Sequence, residues 1–329
     1  MNLRVTLTRR GTRHGRFTLP AGEPGLPADA AARWQRCQPI VWRGAIATRL
    51  LRWRQEVRRT LALFARLRAG ASFEAAVYRR MRGTRGFVPA GTTVDAADPR
   101  EIAKVWTHRV VGTRIVGRDL WTKLAWIAHD ERDPSLRIRF SWGSEMLTEW
   151  HSDPRRCRRV DEFACALFPE CEVLAGHGPL LRTLGRLAGG KVRLSERILY
   201  NNCPGGGAVF HHDAETTQRG VCFGQFAGTT AWLALPRAEL AAHVAAALRT
   251  SLRRADRALA NPDAPKLYKL LNHDPRFTRR LAAAGALFVL QPGDVVLLPT
   301  VPGRDTCWHS VFGLGRRPSL AHSYGVFLR

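Results

Sequence analysis

The stretch Gly207-Ala208-Val209-Phe210-His211-His212-Asp213 bears most directly on how this chain folds and what it does. A glycine run, Gly205 to Gly207, leads into a short apolar strand that ends in two imidazoles and a carboxylate. On an extended strand, residues i and i+2 point to the same face. His211 and Asp213 therefore converge, and His212 points away. One imidazole and one carboxylate on one face make up two thirds of a two-His, one-carboxylate triad. Such a face leaves three positions open on Fe(II), which suits oxygen activation. The third donor must be a histidine on another strand. Trp308-His309-Ser310-Val311 offers one, just after Gly293-Asp294-Val295-Val296-Leu297-Leu298-Pro299. His322, on the last strand, is the alternative.

Outward from this stretch the chain reads mostly as strands from Val192 onward: VRLSERILYNN, GVCFGQF, TAWLALP, LFVLQPGDVVLLP, CWHSVF and LAHSYGVFL. One interruption, about 237–284, is helical by composition and spacing. Strands on both sides of a helical insert indicate one β domain with an excursion, not two domains in tandem.

Before Val192 the period is different. Residues 1–35 are rich in Gly, Pro and Arg, and read as loop or partial disorder. Ile46, Leu50, Trp53, Val57, Leu61 and Phe64 recur at three- and four-residue steps, so 45–69 reads as a basic amphipathic helix. A second helix covers 72–82, and 86–98 reads as a linker. Asp98-Pro99-Arg100-Glu101 has the pattern of a helix start, which predicts a helix to about Val111. Another is expected from Asp119 to about His129. Leu136, Ile138, Phe140 and Trp142 alternate with polar residues as a half-buried strand does. Helices near 160–168 and 179–188 follow. The expected division is a basic, partly helical region over 1–95 and the β domain with its insert over 96–329.

At the level of motifs, residues 192–329 resemble the Fe(II)/2-oxoglutarate-dependent oxygenases. That family's HxD, its GD turn before a strand, its distal histidine and its cosubstrate-binding arginine correspond to His211-His212-Asp213, Gly293-Asp294, His309 and Gly315-Arg316-Arg317-Pro318-Ser319-Leu320. The resemblance implies an α+β fold with a double-stranded β-helix core of jelly-roll or cupin-like type, preceded by N-terminal helices and carrying the helical insert. It implies Fe(II) held by His211, Asp213 and His309, and 2-oxoglutarate as cosubstrate. Arg317 would anchor the cosubstrate's far carboxylate, through the two parallel hydrogen bonds that a planar guanidinium makes to one. Ser319 would lie beside it, and Tyr200 and Asn202 would be polar cosubstrate contacts. Gln225-Phe226-Ala227-Gly228-Thr229-Thr230-Ala231-Trp232 matches the JmjC and cupin-like pattern Q-x-x-G-x-K-x-W in outline. Thr230 stands where that branch places a cosubstrate-binding lysine. Arg317 favours the prolyl-hydroxylase-like branches, so the branch stays open. The implied reaction is hydroxylation or demethylation of a substrate with release of succinate and CO2.

Composition sets the remaining bounds. The 329 residues suffice for a substantial core, and 45% are apolar. No apolar run approaches the roughly 18 to 20 residues of a membrane span. MNLRVTLTRRGTRHGRF lacks the apolar stretch of a secretory signal, so the expected compartment is the cytoplasm. The seven cysteines include no CxxC pair and read as reduced core thiols. The net charge of +25 comes from 47 arginines and 5 lysines against 27 acids. Residues 1–100 hold 20 arginines and 6 acids, so an anionic partner, if one exists, would meet them first. Two other function classes compete with the oxygenase: a cupin-like metalloprotein without oxygenase activity, its site inactive or used for different chemistry, and a basic nucleic-acid-binding protein that uses the β domain as a scaffold. The substrate could be a small molecule, peptide or nucleic acid.

Overall fold

The computed structural model describes residues 2–95, 98–128, 130–143, 150, 153–214, 217–301 and 305–329. Its first element is a hairpin, where a loop is expected. Strands β1 (Asn2–Arg9) and β2 (Thr12–Pro20) pair antiparallel about Arg10 and Gly11, both at positive φ. Leu3, Val5 and Leu7 alternate with Arg4 and Thr6, a two-residue period that the surrounding Gly and Arg obscure. After α1 (Ala30–Gln35) and β3 (Ile40–Trp42), the expected helix over 45–69 is broken at Trp53 into α2 (Ala47–Arg52) and α3 (Arg54–Arg68). Helix α4 (Phe73–Met81) starts where Ser72 caps the Ala75 amide.

The next three elements are strands, which corrects the sequence reading. β4 (Phe87–Thr93) replaces the linker, and β5 (Glu101–Val111) and β6 (Arg114–Trp126) replace two helices. Asp98 does accept from a nearby amide, that of Arg100, but it caps a turn. Ile102, Val105, Trp106, Thr107, Val110 and Val111 are β-branched or aromatic and suit a pleated surface. Gly112, at positive φ, then reverses the chain into β6. His129, the expected end of that second helix, lies outside the described residues. So do residues 96 and 97, where the expected domain boundary falls.

Strand β7 (Leu136–Trp142), α5 (Pro154–Leu167), α6 (Glu172–Ala175) and α7 (Gly178–Ala188) follow. Then come β8 (Val192–Asn201), β9 (Gln218–Ala227) and β10 (Thr229–Pro236). The insert is α8 (Arg237–Leu248), α9 (Leu252–Ala258), α10 (Pro265–His273) and α11 (Pro275–Ala283). The chain finishes with β11 (Leu287–Leu290), β12 (Val295–Val301), β13 (Asp305–Leu314) and β14 (Leu320–Leu328).

The fold is α+β, with antiparallel strands in the order β11-β10-β13-β12-β9-β14-β8-β7-β6-β5-β4, and β3 added beside β12. β12 and β13 pair only at Thr300–Thr306 and Val301–Asp305. There the sheet folds over, so that β10, β11 and β13 face β9, β12 and β14 across an apolar layer. Val221, Phe223, Val296 and Leu298 fill it from one side, and Trp232, Ala234, Cys307 and Val311 from the other. Alternation sends the remaining side chains outward. Cys222, Val295, Leu297, Leu320 and Tyr324 pack under α1–α7 in the largest core. Ala231, Leu233, Trp308 and Phe312 pack under the insert and the N-terminal hairpin. The first 95 residues supply β3 and β4 to the sheet and much of both outer cores.

Candidate metal centre

The two histidines of the expected triad meet through the backbone first. The His211 amide donates to the His309 carbonyl at 3.0 Å, and the His309 amide returns the bond to His211 at 2.9 Å. This bridge is isolated: residues 207–213 do not form the full strand expected, but His211 and Asp213 still converge. His211 Nε2 lies 3.3 Å from Asp213 Oδ1, and His309 Nε2 lies 3.4 Å from Asp213 Oδ2. One donor atom from each residue lies within 4.8 Å of the others, and among the described residues this is the one such cluster. For metal–ligand bonds of about 2.1 Å, donors at a right angle lie about 3 Å apart, so the spacing suits a facial triad. His212 points away and packs against Trp308, as the parity predicts.

Neighbours fix both rings. His211 Nδ1 lies 2.7 Å from the Val209 carbonyl, which sets the tautomer that leaves Nε2 free to ligate. Trp232 lies nearly parallel to His309, at 5.6 Å and 25°. Burial works against the charged form of each group, but the outcomes differ. Asp213 is held well below the usual carboxylate range because His211 and His309 flank it. Burial and the neighbouring His211 push His309 down to about 3. Burial would also lower His211, but the Asp213 carboxylate outweighs it and raises the ring. An anionic carboxylate and a neutral His309 are the states that bind a divalent metal.

Behind the triad is a narrow cavity of about 20 Å³. Tyr200, Asn202 and Ser323 are its polar walls, and Val221, Phe223, Trp232, Leu298 and Val311 its apolar ones. Burial, with the Asp213 charge beside it, raises the Tyr200 hydroxyl, so it stays protonated and able to donate.

Of the cosubstrate residues expected from the resemblance, the structure brings Tyr200 and Asn202 to the triad, and not the others. Arg317 stands exposed on the turn between β13 and β14 and borders neither the cavity nor the cleft over the triad. Gly315, at positive φ, turns the chain so that Arg316 and Arg317 stand out to solvent. Ser319 is fully buried, its amide bonded to the Asn202 carbonyl, away from the cavity. Thr230 acts one step back: its hydroxyl donates to Gln225 Oε1 at 2.8 Å and accepts from Trp232 Nε1 at 2.9 Å, which orients the ring lying on His309. His322 is excluded by parity. It stands on β14 with the outward-facing Leu320 and Tyr324, stacks on Phe226 at 4.3 Å, and lies 3.9 Å from Glu170 under the helical layer.

Trp232 closes the Q-x-x-G-x-K-x-W match without a role assigned to it, and Ser323, and Arg137 beside Tyr200 on the neighbouring strand, were not singled out by the motifs. The signal was present as alternation: Trp232 shares a face with Ala234, and Arg137 shares one with Arg139.

No protein-family model and no curated protein matches this chain. Among solved structures it is similar to the ribosomal oxygenase YcfD from Escherichia coli in complex with cobalt and succinic acid. There the identity is 13% and the TM-score 0.31, over 93% of this chain and 53% of that one. It is also similar to an oxidoreductase of the 2OG-Fe(II) oxygenase family from Burkholderia pseudomallei, at 13% identity and TM-score 0.29, over 94% of this chain and 93% of that one. A third is the non-heme alpha ketoglutarate dependent epimerase SnoN from nogalamycin biosynthesis, at 15% identity and TM-score 0.30, over 91% and 82%. The chain spans about half the length of the YcfD structures it matches. At such identities and TM-scores the likeness adds no weight to the geometry.

Proposed function

We propose that this chain is an Fe(II)/2-oxoglutarate-dependent oxygenase, built on a double-stranded β-helix, that hydroxylates or demethylates its substrate. The observation that supports it is the convergence of His211, Asp213 and His309 at one end of an apolar-walled cavity. These three would hold the iron. When bound, the metal would supply oxygen activation coupled to 2-oxoglutarate decarboxylation, one atom of O2 going to succinate and the other to the substrate C–H bond.

The chain's own residues have separate tasks. Asp213 stays ionised and offsets part of the metal's charge. Val209 and Trp232 hold the two rings in place, so the ligands do not reorganise on binding. Val221, Phe223, Leu298 and Val311 keep stray water from the cavity. Tyr200, Asn202 and Ser323 offer hydrogen-bonding groups beside the triad.

The test is formation of succinate from 2-oxoglutarate by the purified chain, with and without Fe(II). Turnover should require the metal and be lost in His309→Ala. Metal binding without succinate formation would support the cupin-like metalloprotein instead, and turnover that survives in His309→Ala would remove the ligand assignment.

A further inference from the structure

The cleft that opens onto His211, His212 and Asp213 has an arginine-rich wall. Arg137 and Arg139 project from the same face of β7, and Arg100 borders the cleft beside them. Two of these cations are engaged. Arg139 Nη2 donates to Glu196 Oε1 at 2.6 Å, and Arg100 Nε lies 3.3 Å from Asp98 Oδ1. Among the described residues Arg137 has no ion pair and no side-chain hydrogen bond, and its Nε is buried without a partner.

Its position makes that vacancy informative. Arg137 is paired in register with Tyr200 on β8, and Tyr200 lines both this cleft and the cavity behind the triad. Among the described residues the carboxylates bordering the cleft are Glu196, Asp213 and Asp263. Glu196 is taken by Arg139, Asp213 faces the two histidines, and Asp263 makes no ion pair with Arg137. Burial, together with Arg100 and Arg139 nearby, pushes the Arg137 guanidinium below its usual value, as expected for a cation without a counter-ion. A desolvated charge is unfavourable until it is paired. A guanidinium's planar fork matches a carboxylate or a phosphate, and each can accept two parallel bonds from it.

We infer that the molecule bound in this cleft carries a carboxylate or phosphate group, and that Arg137 is the residue that anchors it. The inference deepens the oxygenase reading, and rests on it for treating the cleft as the route to the reacting centre. Two sources could present that anion: the substrate itself, or the far carboxylate of 2-oxoglutarate.

Calorimetric titration of the full chain separates them. The samples are wild type, Arg137→Gln, Arg137→Lys and Arg317→Gln. The probes are 2-oxoglutarate on Mn(II)-loaded protein and inorganic phosphate on metal-free protein. Arg137→Gln should weaken at least one probe by about 10- to 100-fold, the loss expected when hydrogen bonds to a charged group are removed. Arg137→Lys, which keeps a charge but not the fork, should recover part of it, and it supplies the comparison should the glutamine variant not fold. Loss of 2-oxoglutarate binding would assign the anchor to the cosubstrate. Loss of phosphate binding alone would assign it to a substrate's anionic group. If folded Arg137→Gln binds both probes as wild type does, or if Arg317→Gln shows the loss instead, the inference is overturned. Failure of the wild type to bind Mn(II) would count against the oxygenase reading, and the phosphate titration on metal-free protein would still test Arg137.

Discussion

Replacing Gly207 by alanine should disable the metal centre without touching a ligand. Gly207 lies at φ +141°, in a region that favours glycine, and three contacts fix it there. Its amide donates to Asp133 Oδ2 at 2.8 Å, its carbonyl accepts from Arg10 Nη2 at 2.7 Å, and its Cα faces β13. A Cβ at this position would lie 2.2 Å from the Val311 carbonyl oxygen, where ordinary contact begins at 3.4 Å. The obstacle is backbone, two residues from His309, so the chain must move by about 1 Å. Such overpacking costs about 1–3 kcal/mol, and the unfavourable φ adds roughly 1–3 kcal/mol. Part of that can be relieved by displacing residues 208–213 from β13, which pulls His211 and Asp213 away from His309. At about 1.4 kcal/mol per factor of ten, metal affinity should fall on the order of 100-fold. Co(II) titration followed by absorbance reads the affinity, and thermal unfolding reads the stability. Gly315→Ala is the control. Gly315 also has positive φ, +80°, but nothing lies within 4 Å of its added Cβ. It should lose only about 1–2 kcal/mol of stability to backbone strain and keep its metal. If Gly207→Ala binds Co(II) as tightly as Gly315→Ala, the close approach of this loop to β13 is not what assembles the triad.

His309→Ala should abolish Co(II) binding, whereas His322→Ala should keep it and lose stability, by roughly 2–4 kcal/mol for a buried ring removed from its stack; urea denaturation alongside the titration checks both. Acid should weaken the docking of the N-terminal hairpin through His14, which is buried against Thr278 at 2.7 Å and lowered to about 4 by burial and by the neighbouring Arg9. Its folded value lies below the unfolded value of 6.5, so its contribution is intact above about pH 6.5 and is lost as the pH falls toward 4. At pH 5 the penalty is about 2 kcal/mol; His14→Asn, which can still bond Thr278, should therefore show a smaller drop in unfolding midpoint between pH 7 and pH 5 than wild type. Thr230→Val should leave the ligands in place but release Trp232 Nε1 and Gln225, which should lower metal affinity by a few-fold and broaden the Co(II) spectrum.

The triad was legible because strand parity and a short motif agreed on it. His211 and Asp213 share a face however short their strand is, and His309 lies directly opposite in the ladder. The same parity decides between His309 and His322, but only when the faces of β13 and β14 are known, and those depend on which strands cover which side. Arg317 illustrates the opposite case. Its expected role came from the family pattern alone, and the turn after β13 directs it to solvent. Arg137 and Arg139 were visible as the polar half of an alternating strand, and a polar half reads as a solvated face until a second layer is seen to cover it. Strands β5 and β6 were missed because Asp98-Pro99-Arg100-Glu101 imitates a helix cap, while Glu101 pairs with Lys104 on its own strand and with Lys123 across the strands, which blurs the two-residue period. The Glu101–Lys123 pairing joins residues 22 apart in sequence, out of reach of any local window.

The most direct test of the account is X-ray absorption at the iron edge of the chain reconstituted anaerobically with Fe(II), measured for wild type and Asp213→Ala. The account predicts one iron per chain, with two imidazole nitrogens and a carboxylate oxygen among its ligands in wild type, and loss of bound iron in the variant. Iron bound with sulfur ligands, or retained unchanged in Asp213→Ala, would contradict it.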